Sequence, residues 1–172
     1  MFHPAFKMRS EGDNTGFNGM MSPELVLSDL LATSRDEVLR EMASHLVTSG
    51  CCADSFVQAI LDREREHPSG LPMPGGNLAI PHTDTDHVLR SGFLFARLQK
   101  PVSFFMMGRP DQELEVSLVV MFALQDTSLA GKTLVALVSA FQRPELYGSV
   151  MAAPDGAAMY RVLRDAFAGE NA

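Results

Sequence analysis

The sequence predicts an α/β sandwich: a sheet with some antiparallel pairing, held between layers of helix. Three observations carry this. Two amphipathic segments come first, at residues 35–49 and 54–66. A group of short apolar runs follows between 78 and 124, each of strand length. Two more amphipathic segments, 128–142 and 156–168, come after them. Helices, then strands, then helices bury their apolar faces most simply as layers around one core. The chain has 172 residues, enough for one domain with a sizeable core and short of two. With 46% hydrophobic and 20% charged residues, its class is globular.

Taken in order, residues 1–20 carry Gly12, Asp13, Asn14, Gly16, Asn18 and Gly19 and read as a flexible tail. The folded domain is then expected over 21–172, with Met20 and Met21 offering an alternative translation start. No signal peptide is evident. Ser34 followed by Glu37 makes a capping box. It opens a helix whose apolar stripe is Val38, Leu39, Met42 and Leu46, with His45 beside it, and Gly50 stops that helix. Asp54 or Ser55 caps the next helix, which buries Phe56, Val57, Ile60 and Leu61 and ends in the charged run Asp62 to His67. Residues 68–76, rich in proline and glycine, read as a loop. Strands are expected at 78–80, 91–98, 102–105 and 116–124. The helix over 128–142 buries Leu134, Leu137, Val138 and Phe141, with Pro144 just past its end. A terminal helix carries Met159, Val162, Leu163, Ala166 and Phe167.

The formal net charge is −7. With no basic patch to release counterions, nucleic acid is excluded as a partner. No apolar run approaches the roughly 18 residues a membrane helix needs, so direct membrane insertion is not expected. Cys51 and Cys52 are adjacent and have no third cysteine to pair with, which reads as a reducing, cytoplasmic compartment.

The most informative stretch is Gly75-Gly76-Asn77-Leu78-Ala79-Ile80-Pro81-His82-Thr83-Asp84. A short apolar run is halted by Pro81, and a histidine follows at once. Pro81 fixes its own φ and biases Ile80 toward extended geometry, so the backbone presenting His82 is stiff. Arg63-Glu64, the Pro/Gly loop and the Ala79-Ile80-Pro81-His82 box together resemble the fructose/mannitol-type (type 2) enzyme IIA domains of the bacterial sugar phosphotransferase system. The similarity runs across about residues 25–168 and includes Lys100-Pro101-Val102. His87, together with Phe141-Gln142-Arg143-Pro144, is most similar to the galactitol-type branch.

The resemblance implies a mannitol-type IIA fold, a mixed sheet of about five strands flanked by helices. It implies that His82 is the phosphoacceptor and Arg63 the cation that contacts phosphate. Phosphate would arrive from the phosphocarrier HPr and leave to a cysteine of an enzyme IIB, and through it serve a IIC membrane component. No cofactor is implied beyond the covalent phosphoryl group, which comes ultimately from phosphoenolpyruvate. The chain departs from the pattern at one point. Many members place a second histidine at the start of the penultimate helix, where this chain reads Asp126-Thr127-Ser128-Leu129-Ala130-Gly131-Lys132. His87 is the candidate to compensate; the other reading leaves it exposed and idle.

The same residues carry a physical argument. A neutral imidazole is a good nucleophile near pH 7. It attacks with one ring nitrogen while an acceptor, either a backbone carbonyl or Asp84, holds the proton on the other. Phosphoryl transfer needs positioning and charge neutralisation more than covalent help. The planar fork of Arg63 suits the second task. Glu64 either orients Arg63 or is a solvated helix-end charge. His67 reads as a cap compensating the helix dipole, and His45 as a satisfied boundary residue. Met106 and Met107 read as core or rim packing, or as an adaptable docking surface. Two other functions use the same residues: a regulatory module in which phosphorylation of His82 gates binding to another protein, and a metal-dependent hydrolase built on His82, His87 and Asp84. His-x-x-x-x-His without a third placed ligand is a weak zinc signal, so no metal site is expected.

Overall fold

A computed structural model of the chain describes residues 17–168. Five strands form one mixed sheet: β1 (Val26–Leu30), β2 (Gly70–Leu71), β3 (Leu78–Ala79), β4 (Gly92–Met106) and β5 (Arg109–Ala123). The helices are α1 (Arg35–Thr48), α2 (Ser55–Glu66), α3 (Ala130–Phe141), α4 (Pro144–Ala152) and α5 (Gly156–Ala166). β1 runs parallel to β4, β4 antiparallel to β5, and β3 parallel to β5. β2 pairs antiparallel with β3 and meets the far half of β4 at Met106.

Strand alternation splits the core into two layers. Leu94, Ala96, Val119 and Met121 face α1 and α2. Phe93, Phe95, Leu118, Val120 and Phe122 face α3, α4 and α5. Both faces being covered explains why these strands read as continuous apolar runs. α1 starts as expected: Ser34 Oγ accepts the Glu37 N–H at 3.2 Å, and Glu37 reaches back to the Thr33 N–H at 2.7 Å. Those bonds to Thr33 hold the Glu37 carboxyl below its ordinary pKa.

Several boundaries differ from expectation. The tail expected over 1–20 lies, for residues 1–16, outside the described residues. Phe17–Met20, however, form a turn of 3-10 helix that is part of the fold. Phe17 is fully buried, stacked on Phe93 at 4.3 Å and on Phe167 at 4.4 Å. β1 was not expected, because Ser28 and Asp29 interrupt its apolar pattern and it pairs along one side with β4. β2, only two residues long, lies within the expected loop. The two strands expected at 91–98 and 102–105 are one, β4. Pro101 sits at the register shift between Arg97 and Val102, where no ladder hydrogen bond is lost. Pro144 lies just past the end of α3, as expected, and also occupies the first turn of an unexpected helix, α4, where its missing N–H costs nothing.

Candidate functional site

His82 continues the row begun by Leu78 and Ile80. Alternation therefore aims its ring at the α3–α5 side of the sheet, where it stacks on Phe122 with centroids 4.5 Å apart and planes 11° from parallel. The backbone of His82 forms a parallel bridge with Phe122, past the carboxyl end of β3 and beside the last residues of β5. That edge is where parallel strands generally present ligand sites.

The ring is half-buried, and its Nδ1 lies 2.9 Å from the Ile80 carbonyl. A carbonyl only accepts, so the proton sits on Nδ1 and Nε2 carries the free lone pair. Of the two proton acceptors open to the sequence, the backbone carbonyl is the one used. Burial lowers the His82 pKa below the usual histidine value, and the nearby Arg63 cation lowers it further. Between the depressed folded pKa and about 6.5 the unfolded chain binds more protons, so this group's contribution to stability falls as pH drops through that window. The ring is therefore neutral and nucleophilic at neutral pH.

Two hollows open beside the ring, of about 210 Å³ and 150 Å³. Arg63 and His82 line both. The larger also receives His67, Ser69, Met107 and Leu134. The smaller receives Asp84, Thr127 and Ala130. Arg63 comes from α2, on the opposite layer, and reaches past the end of β3. The sequence separation between Arg63 and His82 is thus closed by the loop, as the pairing of the two requires.

Glu64 is neither a solvated charge nor seen paired with Arg63. It is buried, and its Oε1 accepts the Ser69 N–H at 3.0 Å while Oε2 has no protein partner. Burial pushes its pKa up to about 7, against the pull of the Ser69 hydrogen bonds and the Arg35 charge. From Glu64 a chain of hydrogen bonds runs to the His82 ring. The Ser69 carbonyl accepts the Ile80 N–H at 3.1 Å, and the Ile80 carbonyl accepts His82 Nδ1–H. A second support holds the loop. A Cβ on Gly75 or Gly76 would collide with Tyr147 of α4, and Gly76 has φ +155.

His87 does not come to this site, which corrects the expectation that two imidazoles meet here. Its Nδ1 lies 2.9 Å from Ser55 Oγ at the start of α2. Arg63 is near the other end of that helix, whose 12 residues make it about 18 Å long. His87 lines neither hollow. His67 is the histidine that sequence reasoning set aside. It is the C-cap of α2 and lines the larger hollow. The only signal for it was its place four residues after Arg63 at a helix end. His45 is a satisfied boundary residue, with Nε2 2.6 Å from the Glu24 carbonyl. Among the described residues no group of three or more His, Cys, Asp or Glu is placed to hold a metal ion. Burial raises the pKa of Cys51, and pushes that of Cys52 up to about 12, which leaves both as inert thiols. No helix among the described residues is long and apolar enough to cross a membrane.

A neutral nucleophilic ring, a fixed tautomer and a forked cation on one hollow is an arrangement suited to a phosphoryl group. Comparison with known proteins points the same way. The family model described as "Phosphoenolpyruvate-dependent sugar phosphotransferase system, EIIA 2" matches residues 20–166. The galactitol-specific EIIA component of the phosphotransferase system of Escherichia coli (strain K12) is 27% identical over 135 residues, covering 78% of this chain and 89% of that protein. A nitrogen regulatory protein of Bradyrhizobium diazoefficiens is 27% identical over 148 residues, covering 84% and 92%. In fold, the chain is similar to the solved complex of enzyme IIA and phosphorylated enzyme IIB for mannitol from Escherichia coli. The TM-score is 0.69 at 21% identity, over 87% of this chain and 98% of that one.

Proposed function

Because this chain belongs to the EIIA 2 family of the phosphoenolpyruvate-dependent sugar phosphotransferase system, we propose that it carries a phosphoryl group on His82 Nε2, accepted from phospho-HPr and passed to an enzyme IIB. The observation that carries this reading is the Nδ1–H bond to the Ile80 carbonyl, which leaves Nε2 free beside Arg63. In the forward step the Nε2 lone pair forms a bond to phosphorus. The bond from phosphorus to the donor breaks, and its electron pair leaves with the donor. The positive charge that develops on the ring is spread toward Nδ1–H and stabilised by the Ile80 carbonyl oxygen. Arg63 holds the phosphoryl oxygens. In the second step a IIB cysteine thiolate attacks the phosphorus, and the electron pair of the P–N bond returns to Nε2.

The half-buried Met107 and Leu134 beside the ring suit a partner's apolar surface. The IIB role draws on the solved IIA–phospho-IIB complex of similar fold. A second reading has its own support in the nitrogen regulatory relative: phosphorylation of His82 would control binding to a regulatory partner instead of feeding sugar uptake.

The test is incubation with phosphoenolpyruvate, enzyme I and HPr, followed by intact-mass measurement. One acid-labile, base-stable phosphoryl group is expected, and His82→Ala abolishes it. Chelator leaves acceptance from pre-phosphorylated HPr intact. Labelling that survives in His82→Ala overturns the assignment. Transfer onward to IIB proteins separates the transport reading from the regulatory one.

A further inference from the structure

The larger hollow holds a nucleophile and one permanent cation, yet the group it is proposed to receive carries close to two negative charges. The smaller hollow supplies no second cation. Its α3 side brings Thr127 and Ala130, and its loop brings Asp84, an anion. One other titratable residue lines the larger hollow, His67. As the C-cap of α2, His67 has left the helical conformation, with φ −133 and ψ 83, while its N–H still bonds to the Arg63 carbonyl at 2.7 Å. The side chain is exposed, and it stands close enough to His82 for its charge to oppose protonation of that ring.

We propose that His67 is a phosphoryl-contacting residue: the second histidine of the site, supplied by the end of α2, donating a ring N–H to an oxygen of the group carried on His82. This rests on the phosphoryl-carrier reading above. As the anion arrives, His67 takes a proton from solvent and binds it by a charge-assisted hydrogen bond.

The charges around His67 fix the direction of the effect. Sharing the larger hollow with it are Arg63 of α2 and His82 of the loop; Asp84 lines only the smaller hollow, and Glu66 and the buried Glu64 precede His67 on α2. The hairpin joining β4 to β5 contributes Met107 and α3 contributes Leu134, both uncharged. Once transferred, the phosphoryl group favours a positive charge on the ring beside it. The bond therefore belongs to the phosphorylated state. Its benefit is full at acid pH and fades as pH rises through the titration of His67 in that state.

The experiment compares full-length wild type with His67→Ala, His67→Gln and His67→Arg, using phospho-HPr as donor from about pH 5.5 to 8.5. At pH 6, His67→Ala is expected to accept phosphate about tenfold more slowly, the low end for a charge-assisted bond at an exposed residue. The deficit should shrink toward pH 8.5. His67→Arg should restore the rate and remove this pH dependence, and His67→Gln should fall between. By NMR, the His67 ring should titrate at higher pH in the phosphorylated chain than in the unmodified one, a change that a purely structural role would not produce. If wild type is labelled and His67→Ala matches it at every pH with no move in the ring titration, this proposal fails and the carrier reading stands. A wild type that takes no phosphoryl group overturns both.

Discussion

Arg63 and Glu64 are neighbours in sequence with opposite fates, and each can be tested by itself. Arg63 is half-exposed at the mouth of both hollows and takes little part in the core. Arg63→Ala should fold normally, with a stability change under about 0.5 kcal/mol. Phosphate acceptance should slow by about 10²-fold, since a preorganised cation acts mainly where charge develops. Rapid-quench kinetics with phospho-HPr measure this, and unchanged rates remove Arg63 from the site. Glu64 is different, because its carboxyl is buried with a pKa raised from 4.5 to about 7. A raised carboxyl binds more protons folded than unfolded between those values. Its contribution is therefore present below about pH 4.5 and lost as pH rises through 7. Glu64→Gln keeps an acceptor for the Ser69 N–H without the buried charge. It should match wild type near pH 5 and be more stable at pH 8, by on the order of 2 kcal/mol. Urea denaturation at the two pH values checks this; equal stability at pH 8 would mean that Arg35 fully neutralises the carboxylate.

At the scale of elements, α4 depends on a residue far from it in sequence. Arg97, on β4, is 8% exposed. Its Nη1 donates to the carbonyls of Val150, Met151 and Ala153 at 3.1, 3.1 and 2.6 Å, and its Nε to the Ser28 carbonyl at 2.7 Å. One guanidinium thus caps the C-terminal end of α4 and ties it to β1. Arg97→Met fills much of the same space but leaves these buried carbonyls unpartnered. It should cost about 3 kcal/mol, read as a lower urea midpoint and faster amide exchange in α4. A loss under 1 kcal/mol would show that water replaces the guanidinium. Because α4 also carries Tyr147 against Gly75 and Gly76, the same variant should loosen the loop before His82. Sequence shows why these elements escape a linear reading. Arg97 lies in an apolar run that already reads as a strand, and nothing local marks it as a helix cap. Pro144 follows the end of α3 and starts α4, and only the packing of the second helix reveals the latter. Conversely, Ser34 with Glu37 and the stripe behind them specify α1 locally, so that helix was legible.

Across the whole molecule, the two core layers meet at the sheet, and the end of the described chain is locked by its beginning. Phe17 packs between Phe93 of β4 and Phe167, just after α5. Phe17→Ala should cost about 3–4 kcal/mol, the usual range for an aromatic ring removed from a closed core. A chain shortened to begin at Met21 should lose at least as much. Thermal unfolding with two probes checks both, and a shift within 1 kcal/mol would mean that the domain is complete without Phe17. The sequence by itself determined the fold class and the stiff backbone presenting His82, while only the family resemblance tied Arg63 to that histidine. The first two features are written in local spacing: apolar runs of strand length and a proline that stops one of them. The tertiary structure decided what local spacing does not encode. It placed His87 with Ser55 and His67 beside His82, although His87 is the nearer in sequence, because the path of the loop and the length of α2 set which rings share a hollow. It buried Glu64 and exposed Arg63, because successive helical positions point about 100° apart and only packing tells which of them faces the core.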